Sequence, residues 1–333
     1  MIEEFEVPRV YNEDLHAPLR HDKPKTKKAG MPIIIDADFL VYFCAFSCET
    51  KEFFIQTGEG MVPLHDVNGN LVPSFSGITK VRKWLADGGN ELWTEEDFTV
   101  NELLLHEDDC RKKLDDKLSW IAEQAHSNDL RIYVDSDSDG GSYRYELATL
   151  APYKEGRKPR PTYYNVARDH LLSKAGSGTT GNDEVDDMCA FYGRKYVGRV
   201  VTCSIDKDTY TYEGWHLHPT EPEKKGIHWV TQWEACYEFY RSLLTGDRTD
   251  NIKGITGTKA CPGVGNAHKA VKALAECKTE AEMLEICCEV YSTHRVLDEM
   301  EWYQGVDWQD ALVENANLLY LRRDGLNDKW RRL

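Results

Sequence analysis

The sequence predicts an α/β protein with a mostly parallel sheet, on three observations. Short runs of strand character, Ile33-Ile-Ile35, Arg131-Ile-Tyr-Val134 and Arg199 to Ser204, lie far apart in the chain. Helical patterns separate them: Phe39 to Phe46, an amphipathic stretch marked by Leu114, Leu118 and Ile121, and Glu184 to Lys195. Parallel strands require such crossovers, because a tight turn only reverses the chain. Finally, Asp36 and Asp135 each stand at the carboxyl end of a strand, the edge where open α/β sheets hold their ligands.

Residues 1–30 lack periodicity and end in His21-Asp-Lys-Pro-Lys-Thr-Lys-Lys28, which reads as a mobile N-terminal extension. The sheet domain is expected over 31–240. Within it, 49–106 forms an irregular insertion, where Phe53 to Gln56 and Leu71 to Val72 flank Asp66-Val-Asn-Gly69 and suggest a hairpin followed by acidic helical pieces. No function attaches to that stretch. Gly176-Ser-Gly178 reads as a linker, and His216-Leu-His218 as an exposed strand rather than a metal site. From about residue 241 the pattern is helical, broken by Gly254 to Gly265, so a helical subdomain is expected over 241–333.

A chain of 333 residues, 41% of them hydrophobic, can bury one large core and a smaller one. The N-terminal stretch carries Glu3 and Glu4 rather than a basic flank, and the apolar run Phe39 to Phe46 is too short to span a bilayer. No membrane association and a cytoplasmic location follow, the host cytoplasm if the chain is phage-encoded. Ten cysteines include no Cys-x-x-Cys pair, so they read as reduced core thiols. No Gly-x-x-x-x-Gly-Lys sequence supports ATP-driven chemistry.

A net charge of −16 argues at first sight against a nucleic-acid partner. Yet Tyr153 to Lys174 holds six basic side chains, including Lys154, Arg157, Lys158 and Arg160, against two acids. The acids have a pattern of their own. Asp36, Asp135, Glu184, Asp186, Asp187, Asp206, Asp208, Asp247 and Asp250 lie at strand ends or in tight clusters. So many carboxylates cannot remain ionised together without cations. Hard divalent ions such as Mg²⁺ or Mn²⁺ prefer oxygen ligands, and two of them roughly 3.5 to 4 Å apart support phosphodiester hydrolysis. Each cluster alone has a plainer reading as a helix cap or solvated loop; their joint occurrence at strand ends favours the metal site. Asp135-Ser-Asp137-Ser-Asp139-Gly140 with Glu146 matches an EF-hand loop in spacing, but a strand rather than a helix precedes it and Ser142 fills an apolar position.

The order of motifs resembles the flap endonuclease and 5′-to-3′ exonuclease family, and looks closest to its bacteriophage members. The blocks are Ile33-Ile-Ile-Asp36; Val134-Asp135 with Arg144-Tyr-Glu146; Tyr153-Lys154-Glu-Gly-Arg157; Glu184-Val-Asp-Asp187; Ser204-Ile-Asp-Lys-Asp208; and Gly246-Asp-Arg-Thr-Asp-Asn-Ile252. They run over residues 31–275. The resemblance implies a PIN-like (resolvase-like) nuclease domain and a two-metal site, with Asp36, Asp135, Glu184, Asp186 and Asp187 serving mainly one ion and Asp206, Asp208, Asp247 and Asp250 the other. It places Lys154 and Arg157 beside the scissile phosphate and Tyr153 against a terminal base, a stacking contact that competes with a core tyrosine. Gly263-Val-Gly265, with the helix that follows and its Lys269, resembles the family's helix-turn-helix-like phosphate-binding turn; Lys158 and Arg160 extend the DNA track. In the family that turn also holds a K⁺ ion, and Cys261-Pro262 alters the approach to it here. The stretch from Arg157 to Glu184, where the family often builds an arch, is short.

The implied activity is metal-dependent, structure-selective hydrolysis of DNA near 5′ ends, flaps or nicks, a DNA-replication chemistry. An RNase H or PIN-type nuclease acting on RNA or an RNA-DNA hybrid would use the same metals. A non-catalytic DNA-structure-binding protein is the alternative of another class, and the full complement of nine acids counts against it.

Overall fold

The computed structural model describes residues 14–24, 29–88, 92–136, 142–155, 159–181, 183–220, 226–322 and 330. Arg157 and Lys158, and most of the EF-hand-like pattern, lie outside them. The chain divides into two compact units: 1–39, 118–158 and 171–333 form one, while 40–117 and 159–170 form the other. That division cuts across the expected boundary at 240/241. The C-terminal helices belong with the parallel sheet, and the insertion organises a unit of its own.

In the first unit, Ile33–Asp36 (β1) is the middle of a six-stranded sheet. It pairs in parallel with Leu130–Val134 (β7) on one side and Val201–Cys203 (β9) on the other. Isoleucines at 33, 34 and 35 are all buried, as a strand covered on both faces requires. Ser177–Thr179 (β8) adds a parallel edge beside β7, which corrects the linker reading of Gly176-Ser-Gly178. Gly214–Leu217 (β10) runs parallel to β9, and Ile227–Val230 (β11) closes the opposite edge antiparallel. His216 is buried within β10, not exposed; burial pushes its imidazole down to about 3, with His228 adding repulsion.

Val185–Lys195 (α6) packs on β1 through Val185 and Cys189, with Ile34, Tyr196 and Val200. The second core fills the helical part of the same unit. It gathers Tyr240, Leu243 and Leu244 of Gln232–Thr245 (α7), Met283, Cys287 and Tyr291 of Glu280–Thr293 (α9), and Leu312 and Ala316 of Trp308–Leu319 (α11). The short helix Lys269–Leu274 (α8) joins them. A capping box starts α7: Glu234 N–H donates to Thr231 Oγ1 and Thr231 N–H to Glu234.

Residues 14–24 are not the free tail expected. Leu19 N–H donates to the Lys278 carbonyl, Trp233 N–H to the Arg20 carbonyl, and His21 stacks on Trp233. Leu19 is buried in the helical core.

The second unit contains Glu49–Thr57 (β2), antiparallel to Phe98–Leu104 (β6) and to Gly60–Met61 (β3). Leu64–His65 (β4) and Leu71–Val72 (β5) form the hairpin around Asp66 to Gly69, one strand shifted from the expected pairing. Its core is an aromatic cluster of Phe75, Trp84 and Phe98. All ten cysteines are free thiols. Among the described residues no helix is long and apolar enough to cross a membrane.

Candidate active site

Parallel pairing decides where the acids go. Asp36 ends β1, Asp135 follows β7 and Asp206 follows β9, and since these three strands are adjacent and point the same way, the acids meet at one edge. Ser204 Oγ–H donates to Asp36 Oδ2 at 2.8 Å and accepts from Asp206 N–H at 2.9 Å. Val185 N–H, at the start of α6, donates to Asp135 Oδ1 at 2.9 Å, so the helix start abuts the strand end. Asp206 caps the 3₁₀ turn Lys207–Thr211 and accepts from Asp208 N–H at 2.9 Å.

Asp247 and Asp250 arrive from the turn after α7. Gly246 ends that helix at φ +70°, and a Cβ there would sit 2.5 Å from the Ile252 carbonyl oxygen, so only glycine allows the chain to double back. Asp247 N–H and Ile252 N–H then exchange bonds with each other's carbonyls, and Lys207 Nζ lies 2.8 Å from Asp247 Oδ2.

Mutual repulsion links the set. Asp36 is pushed up to about 7 by burial, with Asp206 and Asp135 adding to it. Burial together with the Asp38 carboxylate lifts Asp135 to about 9. Burial raises Asp186, Asp206 and Asp208 too, and Asp247 and Asp250 repel both Asp206 and Asp208. All nine sequence-predicted acids therefore lie in one electrostatic neighbourhood. Asp38 is a tenth, missed because it falls inside the first helix, Asp38–Phe46 (α1): its Oδ1 accepts from Asp135 N–H at 3.0 Å, and the two carboxyls hydrogen-bond each other. The Asp-Ala-Asp spacing at a strand end was the available signal.

Two acids are compensated. Burial alone would raise Glu184, but Arg144 and Lys154 outweigh it and hold the carboxyl down to about 2. Asp187 has both oxygens on Arg144, each at 2.8 Å, and accepts Arg322 N–H at 2.7 Å as well. That geometry departs from the expected ligand role, since the lone pairs of Asp187 are already engaged. Arg144, only 1% exposed, was visible in the motif order but not as a site residue.

Lys154 Nζ donates to Glu184 Oε1 at 2.7 Å, and its backbone sits at φ +56° with N–H bonded to the Asp250 carbonyl. A non-glycine residue held in that region marks a position fixed by its surroundings. Tyr153 is not placed to stack on a base. It is 5% exposed within the helical core, with its hydroxyl 3.1 Å from Glu184 Oε2 and 2.9 Å from Asp250 Oδ2. Gly263 is required by packing, because a Cβ there would lie 2.1 Å from the Ile255 carbonyl oxygen. Gly265 and Lys269 are exposed, and a Cβ at Gly265 would meet open space. Arg160, in the second unit, is exposed and stacks its guanidinium 4.2 Å from the Tyr164 ring centre.

The donor set suits a hard divalent ion: carboxylates only, several of them raised by burial and by each other, with fewer cations than acids among the described residues. Among the described residues no three of these side chains are gathered closely enough around one point to hold an ion by themselves.

No family model matches the chain, and no curated protein matches it. Solved structures are similar to it, three of them from bacteriophage T5. A crystal structure of the bacteriophage T5 D15 protein co-crystallised with metal ions has a TM-score of 0.41 and 17% identity, over 64% of this chain and 81% of that one. A bacteriophage T5 D15 flap endonuclease variant, in a pseudo-enzyme-product complex with DNA and metal ions, has 0.35 and 14%, over 63% and 90%. A mutant T5 5′-exonuclease has 0.33 and 14%, over 63% and 93%.

Proposed function

We propose that the chain is a metal-dependent nuclease that hydrolyses DNA phosphodiesters near 5′ ends, with two divalent ions held by the acid edge. The observation that carries this reading is the convergence of ten acids from five chain segments on the carboxyl edge of a parallel sheet, with a constrained lysine among them. An acidic surface left by chance would spread its charges, whereas burying repelling carboxylates costs stability that a bound cation returns.

On this reading Asp36, Asp38, Asp135 and Asp186 face one ion and Asp206, Asp208, Asp247 and Asp250 the other, partly through water. Mg²⁺ or Mn²⁺ bound there would activate a water and neutralise charge at the scissile phosphate. The protein's share is positioning: strand ends set the spacing, and Lys154 presents an ammonium to the developing negative charge. Arg157 is proposed for the same task. Gly265, Lys269, Lys158 and Arg160 are proposed duplex contacts, read through the backbone and so without sequence preference. The 5′ polarity rests on the resemblance in motif order.

Duplexes labelled at either end, incubated with Mg²⁺, Mn²⁺ or EDTA, test the reading. Release of 5′-phosphorylated products from 5′ ends only with metal is expected. Full-rate cleavage in EDTA would remove the metal role, and release from 3′ ends would reverse the polarity. A matched RNA-DNA hybrid in the same assay separates a DNA nuclease from one directed at RNA.

A further inference from the structure

Arg144 offers five N–H donor directions, and each meets an acceptor. Its Nε–H reaches the Leu318 carbonyl at 3.0 Å, Nη1 reaches Glu184 and Asp187, and Nη2 reaches Asp187 and the Tyr320 carbonyl. The carbonyls of Leu318 and Tyr320 stand at the end of α11, where a helix leaves its last acceptors unpaired. Asp187 closes the ring by accepting from the Arg322 and Glu184 backbone N–H groups at 2.7 and 3.2 Å. Arg322 in turn binds Asp183 at 2.8 Å and lays its guanidinium on Tyr143. Charge counting points the same way. Arg144 and Lys154 balance Glu184 and Asp187 one for one, so this quartet needs no ion, whereas Asp186 beside it has no partner closer than 3.9 Å among the cations described.

We propose that Asp187 is a positioning residue and not an ion ligand: with Arg144 it forms a buried clamp by which the C-terminal segment Leu318–Arg322 fixes the start of α6 and aims Asp186 into the acid edge. The nuclease reading is assumed for the role of Asp186; the clamp itself rests on the contacts of Arg144 and Asp187 alone. A planar guanidinium gripping a carboxylate in two places sets both distance and angle, which a lysine at 144 cannot reproduce.

Hydrogen exchange of the metal-free protein and calorimetric titration with Mn²⁺ test this on wild type, Asp187→Asn, Arg144→Lys and the double variant. In both single variants the Arg322 and Glu184 amides should exchange at least about tenfold faster. The Mn²⁺ count should stay at the wild-type value while affinity falls by about tenfold in each, and the double variant should be little worse than the weaker single one, as for residues acting as a unit. Loss of one bound ion in Asp187→Asn, with Arg322 and Glu184 exchange unchanged, would make Asp187 a ligand and overturn the proposal. Should Arg144→Lys fail to fold, exchange and ion count in Asp187→Asn decide it alone. A wild-type protein that takes up no Mn²⁺ would sink the nuclease reading, and the exchange result would still judge the clamp.

Discussion

Lys154 and Glu184 are thirty residues apart in sequence, yet Nζ and Oε1 lie 2.7 Å apart inside the acid edge, with the lysine backbone tethered to the Asp250 carbonyl. The lysine thereby spans the two groups of carboxylates that belong to different parts of the chain. Replacing it with alanine should lower the single-turnover cleavage rate by about two orders of magnitude, the scale of losing one oriented stabilising group. Duplex affinity should change far less. A Lys154→Ala protein with intact single-turnover rate and weakened binding would show that this lysine only tracks DNA.

Metal-free stability should fall as pH rises. Asp36 and Asp135 have folded values of about 7 and about 9 against an ordinary 3.8, so the folded state holds protons that the unfolded chain has released. For raised acids the stabilisation is full below about pH 4 and is lost as pH climbs through 7 and 9. Glu184, held down to about 2, works the other way, but only below its ordinary 4.5. Urea midpoints measured in EDTA should therefore drop between pH 5 and pH 9, and saturating Mg²⁺ or Mn²⁺ should flatten the slope. A midpoint independent of pH in EDTA would contradict the repulsion seen across the acid edge.

Asp208→Asn should abolish Mn²⁺ binding at its site and cleavage with it, while raising the melting temperature of the metal-free protein by a few degrees. Asp208 is buried among Asp206, Asp247 and Asp250, so neutralising it relieves repulsion that no ion then offsets. Calorimetric titration together with thermal unfolding in EDTA checks both halves; a folded variant that turns over normally would remove Asp208 from the site.

Gly263 and Gly265 should fail differently. Gly263→Val forces a side chain against the Ile255 carbonyl and should cost about 1 to 3 kcal/mol of stability, an overpacking loss. Gly265→Val meets open space, so stability should hold while affinity for duplexes drops equally for every sequence tested. Unchanged affinity in Gly265→Val would place the duplex elsewhere.

Tyr153→Phe separates a buried hydroxyl from a stacking platform. Phenylalanine keeps the ring, so a base-stacking role predicts no loss. The hydroxyl lies between Glu184 and Asp250, so its removal should instead lower stability by about 1 kcal/mol and shift the metal dependence of cleavage. Chemical denaturation and Mn²⁺ titration of cleavage provide the readout.

The acids themselves were legible in the sequence, because period-2 and period-3.6 patterns are local and an acid that follows a buried β-branched run is at a strand end wherever the sheet lies. Ile33 to Asp36 and Glu184 to Lys195 needed nothing beyond their neighbours. Other assignments depended on partners far along the chain. Tyr153 carries the same letters whether it faces solvent or a core built from α7, α9 and α11, and Gly263 the same freedom whether a phosphate or Ile255 approaches it. Residues 14–24 had no periodicity to announce that Leu19 would dock on the helices. Above all, Asp187 looks like its neighbour Asp186 in sequence, and only packing brought Arg144 and the Leu318–Arg322 segment to one of the two. Local sequence determines which groups a segment offers; desolvation and the pairing it enforces, settled by tertiary contact, decide which of those groups remain available for chemistry.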